Sequence, residues 1–215
     1  MIAPMRGDPV AFVDGLRRWG RTHRRSFPWR ETADPYRVLV AEVLLQRSRG
    51  RTVATVYEAL FLRWPDAGAL ARARVPSIEA VIRPLGLVRR AATLRAMAAE
   101  VVRLGGVPMT REGLLLLPGV GPYAANATLA VAFARRAPVV DGVTARVYRR
   151  YFGLASSGPP VSDAALWALV DDVTPPRGAR TWNWTVLDLA ATVCVAQRPR
   201  CGDCPLAATC TWAAG

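Results

Sequence analysis

The sequence predicts an all-α protein, and three observations lead to that prediction. Apolar residues recur at the spacing of a helical face through most of the chain, as Phe12, Leu16 and Trp19 do near the N-terminus. Pro and Gly interrupt these stretches at short intervals, where helices end. No alternation of apolar and polar residues is long enough to indicate a β-strand.

The helical stretches follow one another along the chain. The first is amphipathic and leads into an arginine-rich turn that ends near residue 30. Asp34 and Pro35 are residue types preferred at the N-cap and the first position of a helix, so the second helix begins there. The predicted helices span residues 10–23, 35–46, 52–63, 77–82, 88–104, 111–116, 122–134, 142–152, 162–173 and 181–193.

Composition indicates a soluble protein with a polyanionic partner. Hydrophobic residues make up 52% of the 215 residues, which argues against disorder, and the length suits one large core or two small domains. The N-terminus has no signal pattern and no apolar run approaches the roughly 18 residues of a membrane span. We therefore expect a cytoplasmic, nucleoid-associated protein of bacterial type. The net charge of +13 favours DNA or RNA as its partner.

All 29 basic residues are arginine, and the chain contains no lysine. A GC-rich genome, whose codons favour arginine, explains the missing lysine but not the positive excess. Without lysine, the α-amine of Met1 is the one amine that could form a Schiff base during imine-based strand cleavage. We therefore expect no DNA lyase activity of that kind.

Four cysteines lie close together near the end of the chain, in the pattern C-x₆-C-x₂-C-x₅-C. Four thiolates on one short loop can hold a [4Fe–4S] cluster. A Cys₄ zinc site usually uses two close pairs, whereas here only one C-x₂-C pair is present. Two disulfides would need an oxidising compartment, which nothing in the sequence indicates. We predict a [4Fe–4S] cluster, with zinc as the alternative, on Cys194, Cys201, Cys204 and Cys210.

A glycine-rich turn, Leu-Pro-Gly-Val-Gly-Pro-Tyr-Ala-Ala at residues 117–125, lies between two predicted helices. Gly119 and Gly121 allow a sharp turn that comes close to a ligand, and the next helix offers unpaired N–H groups to a phosphate oxygen. Such a turn grips the DNA backbone without reading bases. By itself it could equally be a plain helix connection, but Asp141 follows twenty residues after Gly121 in a second motif.

Four blocks of sequence together resemble the endonuclease III/MutY superfamily of helix-hairpin-helix DNA glycosylases. They are FPWR…DPYRVLVAEVLLQRS, LPGVGPYAANATLAVAF, VVDGVTARVYRRYFG and the cysteine pattern, and the match covers about residues 10–211. The resemblance implies a six-helix barrel over residues 31–137 that carries the helix-hairpin-helix. Residues 1–30 and 138–215 would form a second helical domain with the cluster, and the active site would lie in the cleft between the domains. It also implies a monomer that acts on double-stranded DNA containing a mismatched or damaged base, in base excision repair.

The resemblance assigns three catalytic positions. Glu42 interrupts an apolar run and, from the pattern alone, either faces solvent or is desolvated; its family counterpart holds or delivers a proton. Asp141 fits an ordinary N-cap and, by resemblance, faces the sugar C1′ as the glycosidic bond breaks. Tyr123 is either a partly buried aromatic or, by resemblance, stands where bifunctional relatives carry their Schiff-base lysine. This implies a monofunctional glycosylase that leaves an abasic site.

The same blocks mark positions that are expected to contact DNA. Gln46 and Arg47 are candidates to fill the gap that an extruded base leaves in the duplex, with a solvated helix end as the alternative. The hairpin is expected to bind the DNA backbone. The expected DNA-binding positions are Gln46, Arg47, Ser48, Gly119, Val120, Gly121 and Tyr123.

The sequence combines features of two groups of relatives that remove different bases. Gln46-Arg47-Ser48 departs from the Gln-Gln-Thr of MutY toward the Arg-Arg-Thr of thymine mismatch enzymes. The chain also ends soon after the cysteines, where MutY proteins usually add a domain that recognises oxidised guanine. We therefore expect excision of thymine or uracil opposite guanine, with MutY-like adenine excision as the alternative. Val143 departs from both groups, because the Asn expected there could hydrogen-bond the aspartate or the sugar and valine cannot.

Two further classes stay open. One is a non-catalytic, lesion-binding relative with the same fold; the presence of both Glu42 and Asp141 argues against it, whereas Val143 keeps it open. The other is an RNA-binding protein with a Cys₄ zinc site. Visible colour would exclude that class, because zinc–thiolate sites are colourless.

Overall fold

A computed structural model of the chain describes residues 7–156 and 158–214. Within these ranges the secondary structure consists of eleven α-helices and five short 3₁₀ helices, without a β-strand, so the predicted all-α fold is confirmed. The predicted second domain includes residues 1–6, 157 and 215, which lie outside the described residues. Met1, considered above as a nucleophile, is one of them. No helix in the described ranges is long and apolar enough to span a membrane.

The chain divides into two compact units. Residues 26–135 form one, here called the hairpin unit, and residues 1–25 with 136–215 form the other, here called the cysteine unit. The hairpin unit contains α2 (Pro35–Leu45), α3 (Gly50–Arg63), α4 (Ala67–Ala71), α5 (Val75–Ile82), α6 (Arg90–Arg103), α7 (Arg111–Leu115) and α8 (Pro122–Ala132). The cysteine unit contains α1 (Pro9–Trp19), α9 (Gly142–Phe152), α10 (Ala164–Val173) and α11 (Ala179–Thr192).

Helix α2 is the central helix of the hairpin unit. The carboxylate of Asp34 accepts hydrogen bonds from the backbone N–H groups of Tyr36 and Arg37, and Pro35 begins the helix, as predicted. Nearly every residue from Tyr36 to Leu44 is buried, because α2 packs against α3, α6 and α8. A helix that is apolar all round belongs in a core. The same packing takes the single acidic residue of α2 into the interior.

An aromatic cluster forms the core of the cysteine unit. The ring of Phe12 lies at its centre, with centroids 4.8 Å from Tyr151 and 5.0 Å from Phe152, and it meets the ring of Trp182 edge-on at 5.9 Å. These rings join α1, α9 and α11, and each aromatic contact adds about 0.5–1.5 kcal/mol beyond its buried area. The cluster therefore fixes α9, whose N-cap residue is Asp141.

Several helix boundaries differ from the predicted ones; for example, α3 and α5 begin two residues earlier and α10 begins two residues later than predicted. Helix α1 ends at Trp19 rather than at residue 23, with Gly20 as its C-cap. The next N–H groups bond three residues back instead of four, Arg21 N to the Arg18 carbonyl at 3.4 Å and Thr22 N to the Trp19 carbonyl at 3.3 Å. Helix α11 begins at Ala179, two residues before the predicted start. Helix α4 was not predicted: its five residues are too few to show a periodicity, although Asp66 caps it.

Candidate functional site

The helix-hairpin-helix turn joins α7 to α8 in the hairpin unit. Gly119 has φ +79°, in the left-handed region, and a Cβ placed there would lie 2.4 Å from Cγ2 of Thr93. Only glycine fits this position without strain and overlap. Gly121 precedes Pro122 and, as the N-cap residue of α8, has no side chain that could cap the helix. The first turn of an α-helix carries N–H groups without a partner inside the helix, and such a turn can bind an anion such as a DNA phosphate.

The hairpin side chains differ in their exposure. The Val120 side chain is buried, so only its backbone can reach a ligand. Tyr123, the second residue of α8, is half-buried, as expected for a partly buried aromatic at the helix start. The predicted backbone-binding role of the hairpin thus rests on main-chain groups together with the edge of Tyr123.

Residues 46–48, here called the insertion segment, follow the end of α2. Gln46 and Arg47 are exposed, and Arg47 has φ +55°, a left-handed conformation that few residues other than glycine adopt. The Gln46 side chain folds onto the hairpin, where its Nε2 donates a hydrogen bond to the Gly119 carbonyl at 2.9 Å. The structure therefore brings two predicted DNA-binding elements into direct contact.

Arg90, at the start of α6, holds the insertion segment, and the sequence did not single it out. Its side chain is buried (7% exposed), and Nη1 donates to the Leu44 carbonyl at 2.9 Å and to Ser48 Oγ at 3.0 Å. Nη2 donates to the Gln46 carbonyl. Burial, followed by the positive charges of Arg47 and Arg89, lowers the pKa of Arg90 from its ordinary value.

Glu42 is one of the buried charged residues of the hairpin unit, with 8% of its surface exposed. Of the two alternatives that the sequence left open, the structure supports the desolvated one. A carboxyl group in such surroundings is suited to holding or orienting a proton or a water molecule.

Asp141 is the N-cap of α9 in the cysteine unit. Its Oδ1 accepts three hydrogen bonds, from Val143 N at 2.9 Å, Thr144 N at 2.7 Å and Thr144 Oγ1 at 2.9 Å. The Thr144 hydroxyl in turn accepts from the Asp141 N–H at 3.0 Å, which completes a capping box. Within the described residues no hydrogen bond ends on Oδ2. The carboxylate is thus held through Oδ1, whereas Oδ2 is left for contact with a ligand. The neighbouring Val143 side chain is 37% exposed.

The four cysteines line one pocket of the cysteine unit, and none of them forms a disulfide. Arg150 and Trp212 are among the other residues that line it. Nη1 of Arg150 lies 3.6 Å from Cys194 Sγ, and Cys210 Sγ lies 3.7 Å from the Arg150 carbonyl. Burial raises the pKa of the Cys204 thiol; a hydrogen bond with the Leu206 backbone opposes the rise, and the other three cysteines add to it. In the described ranges no three His, Cys, Asp or Glu side chains are arranged to hold a metal ion.

The predicted site residues are divided between the two units. Glu42, Tyr123, the insertion segment and the hairpin belong to the hairpin unit, whereas Asp141 and the cysteines belong to the cysteine unit. Two residues of the cysteine unit were also missed. Thr144 could have been found from its capping-box spacing after Asp141. Arg150 could have been found from its spacing of four residues after Arg146, which places both arginines on one face of α9. Both of them donate to backbone carbonyls around Cys194.

Comparison with known proteins gives a consistent result. A model of the HhH-GPD superfamily base excision DNA repair proteins matches residues 40–172. The thymine/uracil-DNA glycosylase of Pyrobaculum aerophilum is 38% identical, over 96% of this chain and 93% of that protein. A solved structure of a thermostable thymine-DNA glycosylase superposes with a TM-score of 0.91 at 32% identity, over 96% of each chain. The human adenine DNA glycosylase is 35% identical over 94% of this chain, which spans 39% of that protein.

Proposed function

Because the chain belongs to the HhH-GPD superfamily of base excision DNA repair proteins, we propose that it is a monofunctional DNA glycosylase that removes thymine or uracil opposite guanine. The observation that carries the choice of base is the 38% identity to a thymine/uracil-DNA glycosylase over 96% of the chain. The superposition on a thymine-DNA glycosylase with a TM-score of 0.91 supports the same choice.

Asp141 is the residue proposed to act on the sugar. Hydrolysis breaks the bond between C1′ and the base nitrogen, and the electron pair leaves with the base. A water oxygen bonds to C1′, and the proton that this water loses ends on the departed base. A carboxylate next to C1′ stabilises the positive charge that develops there, attacks it or activates the water. The three hydrogen bonds to Oδ1 hold the Asp141 carboxylate in one orientation, which leaves Oδ2 for this task.

Glu42 is proposed to act on the base or on water. A departing thymine or uracil is not protonated on the ring as adenine is, so its negative charge is stabilised by hydrogen bonds. In that reaction a buried Glu42 orients water or the substrate rather than protonating the leaving group.

The absence of lysine supports the monofunctional part of the proposal. Strand cleavage through an imine needs an amine nucleophile, and all 29 basic residues of the chain are arginine. With Tyr123 at the start of α8, base removal ends at an intact strand that carries an abasic site.

Double-stranded DNA is the proposed partner, and a mismatch lowers the free energy needed to extrude the target base. The first turn of α8 and Gly119 are proposed to hold a phosphate, while Gln46, Arg47 and Ser48 are proposed to fill the gap in the duplex. The domain arrangement that the resemblance implies, with a barrel over residues 31–137, a cleft site, a monomeric state and a place at the nucleoid, belongs to the same proposal.

We also propose that the cysteine pocket holds a [4Fe–4S] cluster through Cys194, Cys201, Cys204 and Cys210. Four cysteines line one pocket, and Cys201 with Cys204 is the one close C-x₂-C pair, whereas a Cys₄ zinc site usually uses two such pairs. When bound, such a cluster ties the cysteine loop together and can exchange an electron. The guanidinium of Arg150 next to Cys194 Sγ supplies positive charge to a negatively charged cluster. Iron and sulfide in the purified protein, with a brown colour, support this assignment; a colourless zinc protein contradicts it.

The experiment that tests the function is a panel of labelled duplexes with G·T, G·U, G·A and oxidised-guanine·A pairs. Single-turnover reactions are divided, and half of each is treated with alkali. We expect nicks in the thymine and uracil strands only in the half that is treated with alkali, together with free base detected by mass spectrometry. Release from none of the duplexes contradicts the proposal.

MutY-like excision of adenine is the second candidate function. It is favoured by the 35% identity to the human adenine DNA glycosylase and by the burial of Glu42, which suits protonation of a departing purine. In the same panel it predicts release of adenine and none of thymine or uracil.

A further inference from the structure

Three parts of the hairpin unit meet at the start of α6. The Arg90 guanidinium bonds the chain at residues 44, 46 and 48, and Gln46 bonds the hairpin at Gly119. Thr93, one helical turn after Arg90, packs directly against Gly119, where no Cβ would fit. Helix α6 therefore supports the insertion segment with one residue and the hairpin with the next residue on the same face.

The Arg90 contacts satisfy groups that the local chain cannot satisfy. The last carbonyls of an α-helix have no partner within the helix, and a cation there also complements the helix dipole. Arg90 bonds the Leu44 carbonyl at the end of α2 and the Gln46 carbonyl just beyond it. A planar guanidinium can serve several acceptors at once, whereas a lysine ammonium cannot reproduce that fork.

The same contacts enclose Arg47 on both sides. Arg47 holds an unfavourable left-handed conformation, and such residues persist where their surroundings fix them. Arg90 bonds the residue before it through the Gln46 carbonyl and the residue after it through Ser48 Oγ. The Arg47 side chain is exposed, and its positive charge contributes to the lowered pKa of the buried Arg90.

We infer that Arg90 is a positioning residue for base extrusion: it holds the insertion segment in a fixed register with the hairpin. The hairpin binds the phosphate backbone while Gln46 and Arg47 enter the duplex, so both must be held at a fixed spacing. Loss of the Arg90 contacts frees the segment and slows extrusion of the target base, without altering the groups that act on an extruded base. This inference rests on the proposed function and names a residue to which that function assigns no role.

The test compares two substrates that differ only in the need for extrusion. Uracil opposite guanine in a duplex must leave the stack, whereas uracil in a single strand is already accessible. Full-length wild type, Arg90→Lys and Arg90→Met are assayed under single-turnover conditions, with Arg95→Met as the control. Arg95 is exposed on the same helix, so its substitution removes the same charge without removing the clamp.

We expect both Arg90 variants to lose roughly ten- to a hundredfold in rate on the duplex, as misplacement of a positioning group does. Rates on the single strand should change by less than about threefold, because the chemical groups stay in place. The rise in fluorescence of a 2-aminopurine next to the target should slow in parallel. If the wild type does not act on single strands, the rate of this fluorescence rise alone is compared between the variants. Arg95→Met should resemble the wild type throughout.

Two results overturn the inference. One is a fluorescence rise and a duplex excision rate that equal those of the wild type in both Arg90 variants. The other is an equal loss on both substrates, accompanied by a lower melting temperature of Arg90→Lys, which shows a merely structural role. If the wild type releases no base from any substrate, the proposed function fails instead, and the fluorescence comparison still decides the role of Arg90.

Discussion

The two units hold their candidate functional groups in different ways. In the cysteine unit, Asp141 is oriented by Val143 and Thr144, two and three residues further along the same helix. In the hairpin unit, the insertion segment is held by Arg90, more than forty residues away, and by Gly119, 73 residues after Gln46. One arrangement is a property of a single helical turn, and the other exists only after the unit has folded.

This difference predicts how far the effect of a substitution spreads. A change around Asp141 should alter chemistry while leaving DNA binding intact, since the hydrogen bonds of the capping box stay within the first turn of α9. A change around Gly119 or Arg90 should alter the fit to DNA, because α6, the insertion segment and the hairpin share contacts.

The largest expected effect is that of Asp141→Asn. Asparagine caps helices about as well as aspartate, so the fold should persist with a melting temperature close to that of the wild type. The charge next to C1′ is lost, and we expect excision from G·T and G·U duplexes to fall by about a thousandfold or more. Single-turnover kinetics and duplex affinity measure the two effects separately. Residual activity within tenfold of the wild type contradicts the catalytic role of Asp141.

Thr144→Val should have the next largest effect. Valine has nearly the same shape, but it removes the hydroxyl that donates to Asp141 Oδ1 and accepts from the Asp141 N–H. A carboxylate that is less firmly held should slow excision by roughly ten- to a hundredfold. The lost cap should cost about 1 kcal/mol of unfolding free energy, or about 2–4 °C in Tm. Thr144→Ser keeps the hydroxyl and should recover most of the rate; equal losses in both variants would show that the methyl group matters instead.

Gly119→Ala tests the long-range arrangement. A left-handed alanine costs about 1–2 kcal/mol, and the 2.4 Å overlap of its Cβ with Thr93 Cγ2 adds about 1–3 kcal/mol. We expect a clear loss of thermal stability and a duplex affinity about tenfold lower, because hairpin amides no longer meet the phosphate. In the double variant with Thr93→Ser, the overlap is removed and part of the stability should return. A wild-type affinity in Gly119→Ala contradicts the role assigned to the hairpin.

Val143→Asn is expected to have the smallest effect, and it addresses the departure from the family pattern. The Val143 side chain is partly exposed beside the Asp141 carboxylate, where an amide could donate to Oδ2 or to the sugar. One added hydrogen bond of this kind should raise the excision rate by about two- to tenfold. Val143→Ala is the control, and it should leave the rate near that of the wild type. A slower Val143→Asn enzyme would show that this chain is adapted to valine.

The comparison of the two units also shows what the sequence can predict. The capping role of Asp141 follows from its residue type at the start of a helix, and the structure has that cap. Asp34 and Pro35 predicted the start of α2 for the same reason. Each of these features depends on residues within one turn. The missed α4 is local too, but five residues carry too little pattern to reveal a helix.

Long-range features were beyond the sequence. Arg89 and Arg90 are adjacent and of the same type, yet Arg89 is exposed and Arg90 is buried against three acceptors. The burial of Glu42 was likewise undecided by periodicity, because it depends on which helices surround α2. Contacts that join distant parts of the chain decide these positions.

The most direct test of the central claim is a crystal structure of the wild-type protein with a duplex that carries a 2′-fluoro-deoxyuridine opposite guanine, a nucleotide that resists hydrolysis. We predict an extruded uridine whose C1′ lies within about 3–4 Å of an Asp141 carboxylate oxygen. Glu42 should then face the base or its water, and Gln46 with Arg47 should occupy the gap. A uracil that stays stacked in the duplex, or an extruded one that meets only one of the two carboxyl groups, contradicts the account.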